Sequence, residues 1–167
     1  MASSYLTRTF SGASNTKTWT FSAWIKKVND SAQQLLSAAP ASTDDQIYFS
    51  SDQLIFYTGN QVSLKTNRKF RDTNGWYHVV VQWNTPDGTA DDRHKIWING
   101  IQETSFATRN NPNQNADSKI NGSGQHAVGA VSSNPAEYFD GFMSHVAFVD
   151  GSVVAPTAFG QTDATSG

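Results

Sequence analysis

Between Thr18 and Lys27 the chain reads TWTFSAWIKK, and its side chains sort into two sets with a period of two. Trp19, Phe21, Ala23 and Ile25 form one set; Thr20, Ser22, Trp24 and Lys26 form the other. A helix would spread both sets around its circumference, whereas an extended strand places each on its own face. The same pattern returns in Trp76–Trp83 (WYHVVVQW), with Tyr77, Val79, Val81 and Trp83 opposed to Trp76, His78, Val80 and Gln82. Arg93–Asn99 (RHKIWIN) follows, and Asn99-Gly100 predicts a tight hairpin into Ile101–Phe106. Shorter segments of the same kind are Tyr5–Phe10, Gln34–Ala38, Gln46–Ser50, Gln53–Thr58, Gln61–Thr66, Gln125–Ala130 and Phe142–Val149. Turn-rich clusters separate them, among them Pro40–Asp44, Gly59-Asn60, Asp72–Gly75, Pro86–Asp92, Asn110–Asp117 and Ser132–Pro135. About ten short strands with regular turns predict an all-β fold, an antiparallel sandwich.

A chain of 167 residues, 37% of them hydrophobic, carries enough apolar surface for one core, and we read 1–167 as a single domain. Only 16% of the residues are charged and the net charge is −2, so no excess of cations exists to neutralise a phosphate backbone. Nucleic acid is not an expected partner. Cysteine is absent, which excludes disulfide scaffolds, thiolate metal sites and thiol nucleophiles. No apolar run approaches the length of a membrane span, and Met1–Phe10 lacks the apolar stretch of a signal peptide.

Catalytic motifs are sparse. Glycoside hydrolysis needs two carboxylates facing one cleft, yet glutamate occurs only as Glu103 and Glu137, and Glu137-Tyr-Phe-Asp140 has the wrong spacing for one face of a strand. His78, His94, His126 and His145 fall on separate segments without zinc-ligand spacing. The chain is therefore not expected to be an enzyme. Asp87-Gly-Thr-Ala-Asp91-Asp92 is the densest acidic loop, and Asp87, Asp91 and Asp92 are candidate oxygen ligands for Ca²⁺, with a solvated turn as the plain alternative. If Val79, Val81, Ile96 and Ile98 face the core, then Trp97 lies on the opposite face, as Trp24 does on its own strand. Large rings there need a cover, either a loop or a neighbouring subunit, or else they serve a ligand. Trp24, Trp97, Tyr57 and Tyr138 are candidate platforms for the apolar faces of sugar rings.

The order of these segments is also informative. TWTFSAWIKK, WYHVVVQW, RHKIWINGIQ, YFDGFMSHVAFVDG and FGQTD together resemble the laminin-G-like, concanavalin A-like sandwich domains of bacteriophage virion proteins. Trp76, His78, Val79 and Val80 match a W-x-H-v-v motif. Arg93, Lys95–Gly100 match R-x-k-I-y-v-N-G, and Phe139–Gly151 matches F-D-G-y-m-s-x-v-x-f-v-D-G. The resemblance implies a jelly-roll sandwich at the virion surface, in a tail fibre, adhesin or capsid-surface protein. Relatives usually have an extra strand before the equivalent of Tyr5–Arg8 and continue past FGQTD, so both a module of a longer virion protein and a stand-alone relative stay open. Calcium is bound by many laminin-G relatives, but no ligand motif aligns here. The leading expectation is non-catalytic recognition of bacterial cell-surface carbohydrate through Trp97, Trp24 and Tyr138, with Arg93, Asp92 and Asn99 supplying polar contacts. Other virion proteins and further copies of the chain are the expected protein partners. The competing expectation is a structural capsid-decoration or tail-assembly protein with no sugar ligand.

Overall fold

Alternation explains the architecture of the computed structural model, which describes residues 4–39, 44–134 and 136–160. Twelve strands form among these: β1 (Leu6–Phe10), β2 (Thr18–Lys27), β3 (Gln33–Ala39), β4 (Asp45–Ser50), β5 (Gln53–Thr58), β6 (Gln61–Thr66), β7 (Tyr77–Asn84), β8 (His94–Ile98), β9 (Ile101–Gln102), β10 (Phe106–Arg109), β11 (Gly124–Val128) and β12 (Gly141–Asp150). They pair antiparallel into a larger sheet, β1-β11-β3-β4-β5-β6-β10, and a smaller one, β12-β2-β7-β8-β9. The two sheets make a jelly-roll sandwich of the concanavalin A-like type. The expected turns at Pro40–Asp44 and Ser132–Pro135 fall partly, and FGQTD mostly, outside the described residues.

The apolar set of each alternating strand faces its counterpart across the sandwich. Trp19, Phe21, Ala23 and Ile25 of β2 and Val79, Val81 and Trp83 of β7 are all buried, as are Leu36, Ile47, Phe56 and Leu64 from the larger sheet. The centre is aromatic: Trp19 stacks on Trp83 at 6.2 Å, and the ring of Phe56 meets both edge-on at 5.8 and 5.6 Å. Buried rings of this size contribute most of the hydrophobic driving force.

Two features depart from the sequence expectation. The segment Ile101–Phe106 is not one strand. After the Asn99-Gly100 turn, in which both residues have positive φ, β9 pairs with β8 for two residues. The chain leaves β8 after Glu103, whose N–H still donates to the Ile96 carbonyl (2.8 Å), and enters the larger sheet as β10 beside β6. The second departure is a strap. Residues after β12 cross the outer face of the smaller sheet, held by Thr20, whose Oγ1 donates to the Ser152 carbonyl (2.8 Å) and accepts from the Val154 N–H (3.0 Å). Gln82 Nε2 donates to the Val154 carbonyl (2.8 Å). Beneath it, Thr20, Ser22 and Val80 are fully buried on a face that alternation alone assigns to solvent.

Candidate functional site

On this outer face, β2, β7 and β12 lie side by side, and their register gathers aromatic rings. Trp24 is opposite His78 on β7 and opposite Ser144 on β12, so all three side chains point outward together. The Trp24 indole stacks on the His78 imidazole at 4.8 Å and 7°, which fixes its rotamer from one side. His78 is held in turn by Ser22 Oγ, 2.9 Å from its Nε2, and burial lowers its pKa, so the imidazole beneath Trp24 is neutral at pH 7. The strap reaches this point: the Phe159 ring is 6.4 Å from His78, and a Cβ on Gly160 would sit 3.5 Å from Trp24 Cζ2. Trp76, one residue before β7 and 44% exposed, completes an open hollow of about 480 Å³ walled by Trp24, Trp76 and Phe159, with Ser144 and His145 at its margin. A bulge in β12 between Ser144 and Ala147 presents His145, whose φ is +49°. Its Nδ1 is hydrogen-bonded to Ser144 Oγ at 2.7 Å. Three rings beside a hydroxyl and an imidazole form a surface that stacks on apolar ring faces and bonds hydroxyl groups at its edge.

The residues expected from the sequence do not gather into one site. Trp24 lines the hollow, while Trp97 lies on the same face one strand further on, opposite Val80, and half-buried, with its indole N–H donated to Gln82 Oε1 (2.9 Å). Asn99 occupies the β8–β9 turn, where its Oδ1 accepts from the His78 N–H at 2.8 Å. Arg93 is at the other end of β8, roughly 20 Å along the strand from Asn99. Its guanidinium donates to the carbonyls of Asp87, Gly88 and Pro112, which makes it a loop clamp. Asp92 is paired with Lys95 at 2.8 Å. Tyr138 lies at the β1 edge of the sandwich, its ring 5.7 Å from that of Tyr5, and Tyr57 belongs to the other sheet.

A family model described as the concanavalin A-like lectin/glucanases superfamily matches residues 2–157. The chain belongs to that superfamily. Among solved structures, this lectin-like chain is similar to a heptameric SAP-like pentraxin from Limulus polyphemus (17% identity, TM-score 0.60, covering 85% of this chain and 68% of that one). It is similar also to the CBM40 of Ruminococcus gnavus IT-sialidase bound to α2,3-sialyllactose (13%, TM-score 0.59, 95% and 97%). A sialidase from Trypanosoma rangeli in complex with sialic acid matches at 14% identity and TM-score 0.54, over 86% of this chain but only 22% of that one. At these identities the likeness is one of fold. No curated protein matches the sequence.

Within this lectin-like sandwich, the acidic groups have other partners. Asp87 Oδ1 accepts from the Thr89 N–H (2.9 Å), and Asp91 pairs with Arg109 at 3.1 Å. With Asp92 bound to Lys95, the three expected calcium ligands are each engaged by the protein itself. Among the described residues no three His, Cys, Asp or Glu side chains come together as a metal site would require. Glu103 is paired with Arg68 (2.8 Å), and Glu137 accepts from Gln34 Nε2 (2.8 Å). Trp76 was visible in the sequence as the first member of the outward set of β7. Phe159 opens the FGQTD segment, but nothing in a local pattern says where a connection will be laid down, so its place in the hollow was not visible.

Proposed function

We propose that this chain is a non-catalytic carbohydrate-recognition module whose site is the hollow formed by Trp24, Trp76 and Phe159. The observation that carries the reading is an exposed tryptophan ring beside a second one already locked against His78, so that little side-chain entropy is lost on stacking. A sugar ring lays its C–H face on Trp76, and Ser144 and His145 exchange hydrogen bonds with its hydroxyl groups. Membership of a lectin/glucanase superfamily and likeness to a carbohydrate-binding module bound to α2,3-sialyllactose support this reading. Engagement of Glu103 and Glu137 elsewhere speaks against a glycosidase.

The motif resemblance carries the proposal one step further, to a bacteriophage virion surface and a bacterial cell-surface glycan. One shallow site binds weakly, and display in many copies raises the effective affinity; the heptameric assembly of the similar pentraxin fits such an arrangement. The test is an array of bacterial glycans and lipopolysaccharides. Reproducible hits that disappear in Trp76→Ala, with its thermal transition unchanged, support the proposal. A blank array with folded protein overturns it and favours a structural role in the virion.

A further inference from the structure

A closed sandwich buries the inward set of every strand, and along one side this one does not. Leu6 of β1 is opposite Val128 of β11, which is opposite Leu36 of β3 in the core, yet Leu6 is 73% exposed. Across the gap, Phe148 of β12 is opposite Phe21 and 5.8 Å from the ring of Trp19, yet it is 40% exposed. Between them a cavity of about 210 Å³ opens, lined by Leu6, Phe10, Leu36, Val128 and Phe148. Leu6 and Val128 also line a second, wider hollow of about 490 Å³, bounded by Tyr5, Phe139, Met143 and Val146, so the two adjoin at these side chains; Asp140 on its rim accepts from Asn29 Nδ2 (2.6 Å).

The polar groups of the inner wall are already used. His126 Nε2 accepts from the Asn121 N–H (3.0 Å), and its Nδ1 is 3.2 Å from the Gly124 carbonyl. Arg8 stands at the mouth with its guanidinium 4.8 Å above the Phe10 ring and with no hydrogen bond or ion pair among the described residues. An apolar slot with an unpaired guanidinium at its entrance complements a hydrocarbon chain ending in an anion, which a guanidinium binds in a bidentate manner. An apolar cavity of about 150 Å³ holds one benzene, so the inner cavity takes a chain segment of roughly six to eight carbons and the outer hollow extends it. Addition of another strand to β12 is disfavoured, because the bulge at Ser144–Ala147 interrupts its ladder.

We propose that the fissure between β1 and β12 binds the acyl chain of a carboxylate amphiphile, with Arg8 holding the head group. β12 separates it from the aromatic hollow, since Met143 and Phe148 are paired with inward Ile25 and Phe21, and Ser144 with outward Trp24.

The test is calorimetric titration of the full chain with decanoate, butanoate and decyltrimethylammonium, each below its micellar concentration. The expected result is one saturable site for decanoate, far weaker binding of butanoate, and none of the cationic surfactant. Arg8→Gln should weaken decanoate about tenfold, the loss of one charge-assisted contact. Leu6→Asp, at an exposed position that folding tolerates, should abolish it. Absence of decanoate binding overturns the proposal, as does equal binding of both head groups or an unaffected Leu6→Asp. Sedimentation with anionic phospholipid vesicles in the absence of decanoate binding would assign the fissure to a membrane surface, and a stable dimer that excludes decanoate would assign it to a second copy. Either result also overturns the proposal.

Discussion

Acidification should destabilise this protein through a histidine that sits in its core. His94, on β8, is fully buried, with the rings of Trp83 and Phe56 centred 6.3 and 6.5 Å away. Its Nε2 is 3.0 Å from Asn111 Oδ1, which can only accept, so the proton is on Nε2; Nδ1 has no partner among the described residues. Burial makes the imidazolium costly and lowers the pKa from 6.5 to about 4. The folded state therefore takes up the proton later than the unfolded chain does. Stability from this group is complete above the unfolded value of 6.5 and is lost as pH falls towards 4. At about 1.4 kcal/mol per pH unit, the loss is about 2 kcal/mol near pH 5 and about 3 kcal/mol near pH 4. His78 and His126, whose pKa values burial also lowers, add to it in the same direction. Asp52, Asp91 and Asp150 have lowered values too; their contribution begins to be lost as pH approaches the unfolded value of 3.8 and is lost mainly below it, so they add little between pH 7 and pH 5. Urea denaturation at several pH values measures the effect as a fall in midpoint of about 1 M between pH 7 and pH 5. The slope, not the level, is diagnostic: His94→Leu should start less stable yet lose less on acidification. A wild-type profile that is flat from pH 7 to pH 4.5, or a variant with the same acid loss as wild type, refutes the reasoning.

Gly141→Ala should cost at least about 3 kcal/mol, because φ is +155° and a Cβ there would lie 2.1 Å from the Lys26 carbonyl oxygen; a loss under about 1 kcal/mol by denaturant titration would contradict the close approach of β12 to β2. Lys27→Ala should cost about 3 kcal/mol. The ammonium is fully buried, donates to the Phe70 carbonyl (3.2 Å), and lies 3.9 Å from Asp52 and 4.9 Å above the Phe49 ring. Lys27→Met should recover part of that through packing alone, and equal losses in the two variants would argue against it.

The inward faces of β2, β7 and β8 were legible in the sequence because alternation of period two is a local property, and the Asn99-Gly100 turn was legible because two successive positive φ angles favour those residues. Trp24 and Trp97 were correctly placed on the outer face; of the covers expected there, a loop, the strap after β12, reaches Trp24 at Gly160, while Trp97 is bonded to Gln82. Long-range placement was not legible. Arg93 and Asp92 read as polar contacts for a ligand, yet each is satisfied within its own loop, by carbonyls and by Lys95. Tyr138 joins Trp24 in no local pattern, and only the fold assigns it to the β1 edge, with its ring beside that of Tyr5. Phe159 enters the hollow through hydrogen bonds made by Thr20 and Gln82 to a strap more than 70 residues away along the chain, information that no short window holds. The exposed Leu6 reads as an ordinary strand residue until the missing neighbour across the fissure is seen.

The proposed sugar site lies on the outer face, at Trp76 and Trp24. The most direct measurement is the glycan array with wild type, Trp76→Ala and Trp97→Ala side by side, each checked for an intact thermal transition. Loss of every hit in Trp76→Ala, with the Trp97→Ala pattern close to wild type, is the predicted result. Hits that survive Trp76→Ala and vanish in Trp97→Ala would move the site to the other side of the strap and contradict the assignment.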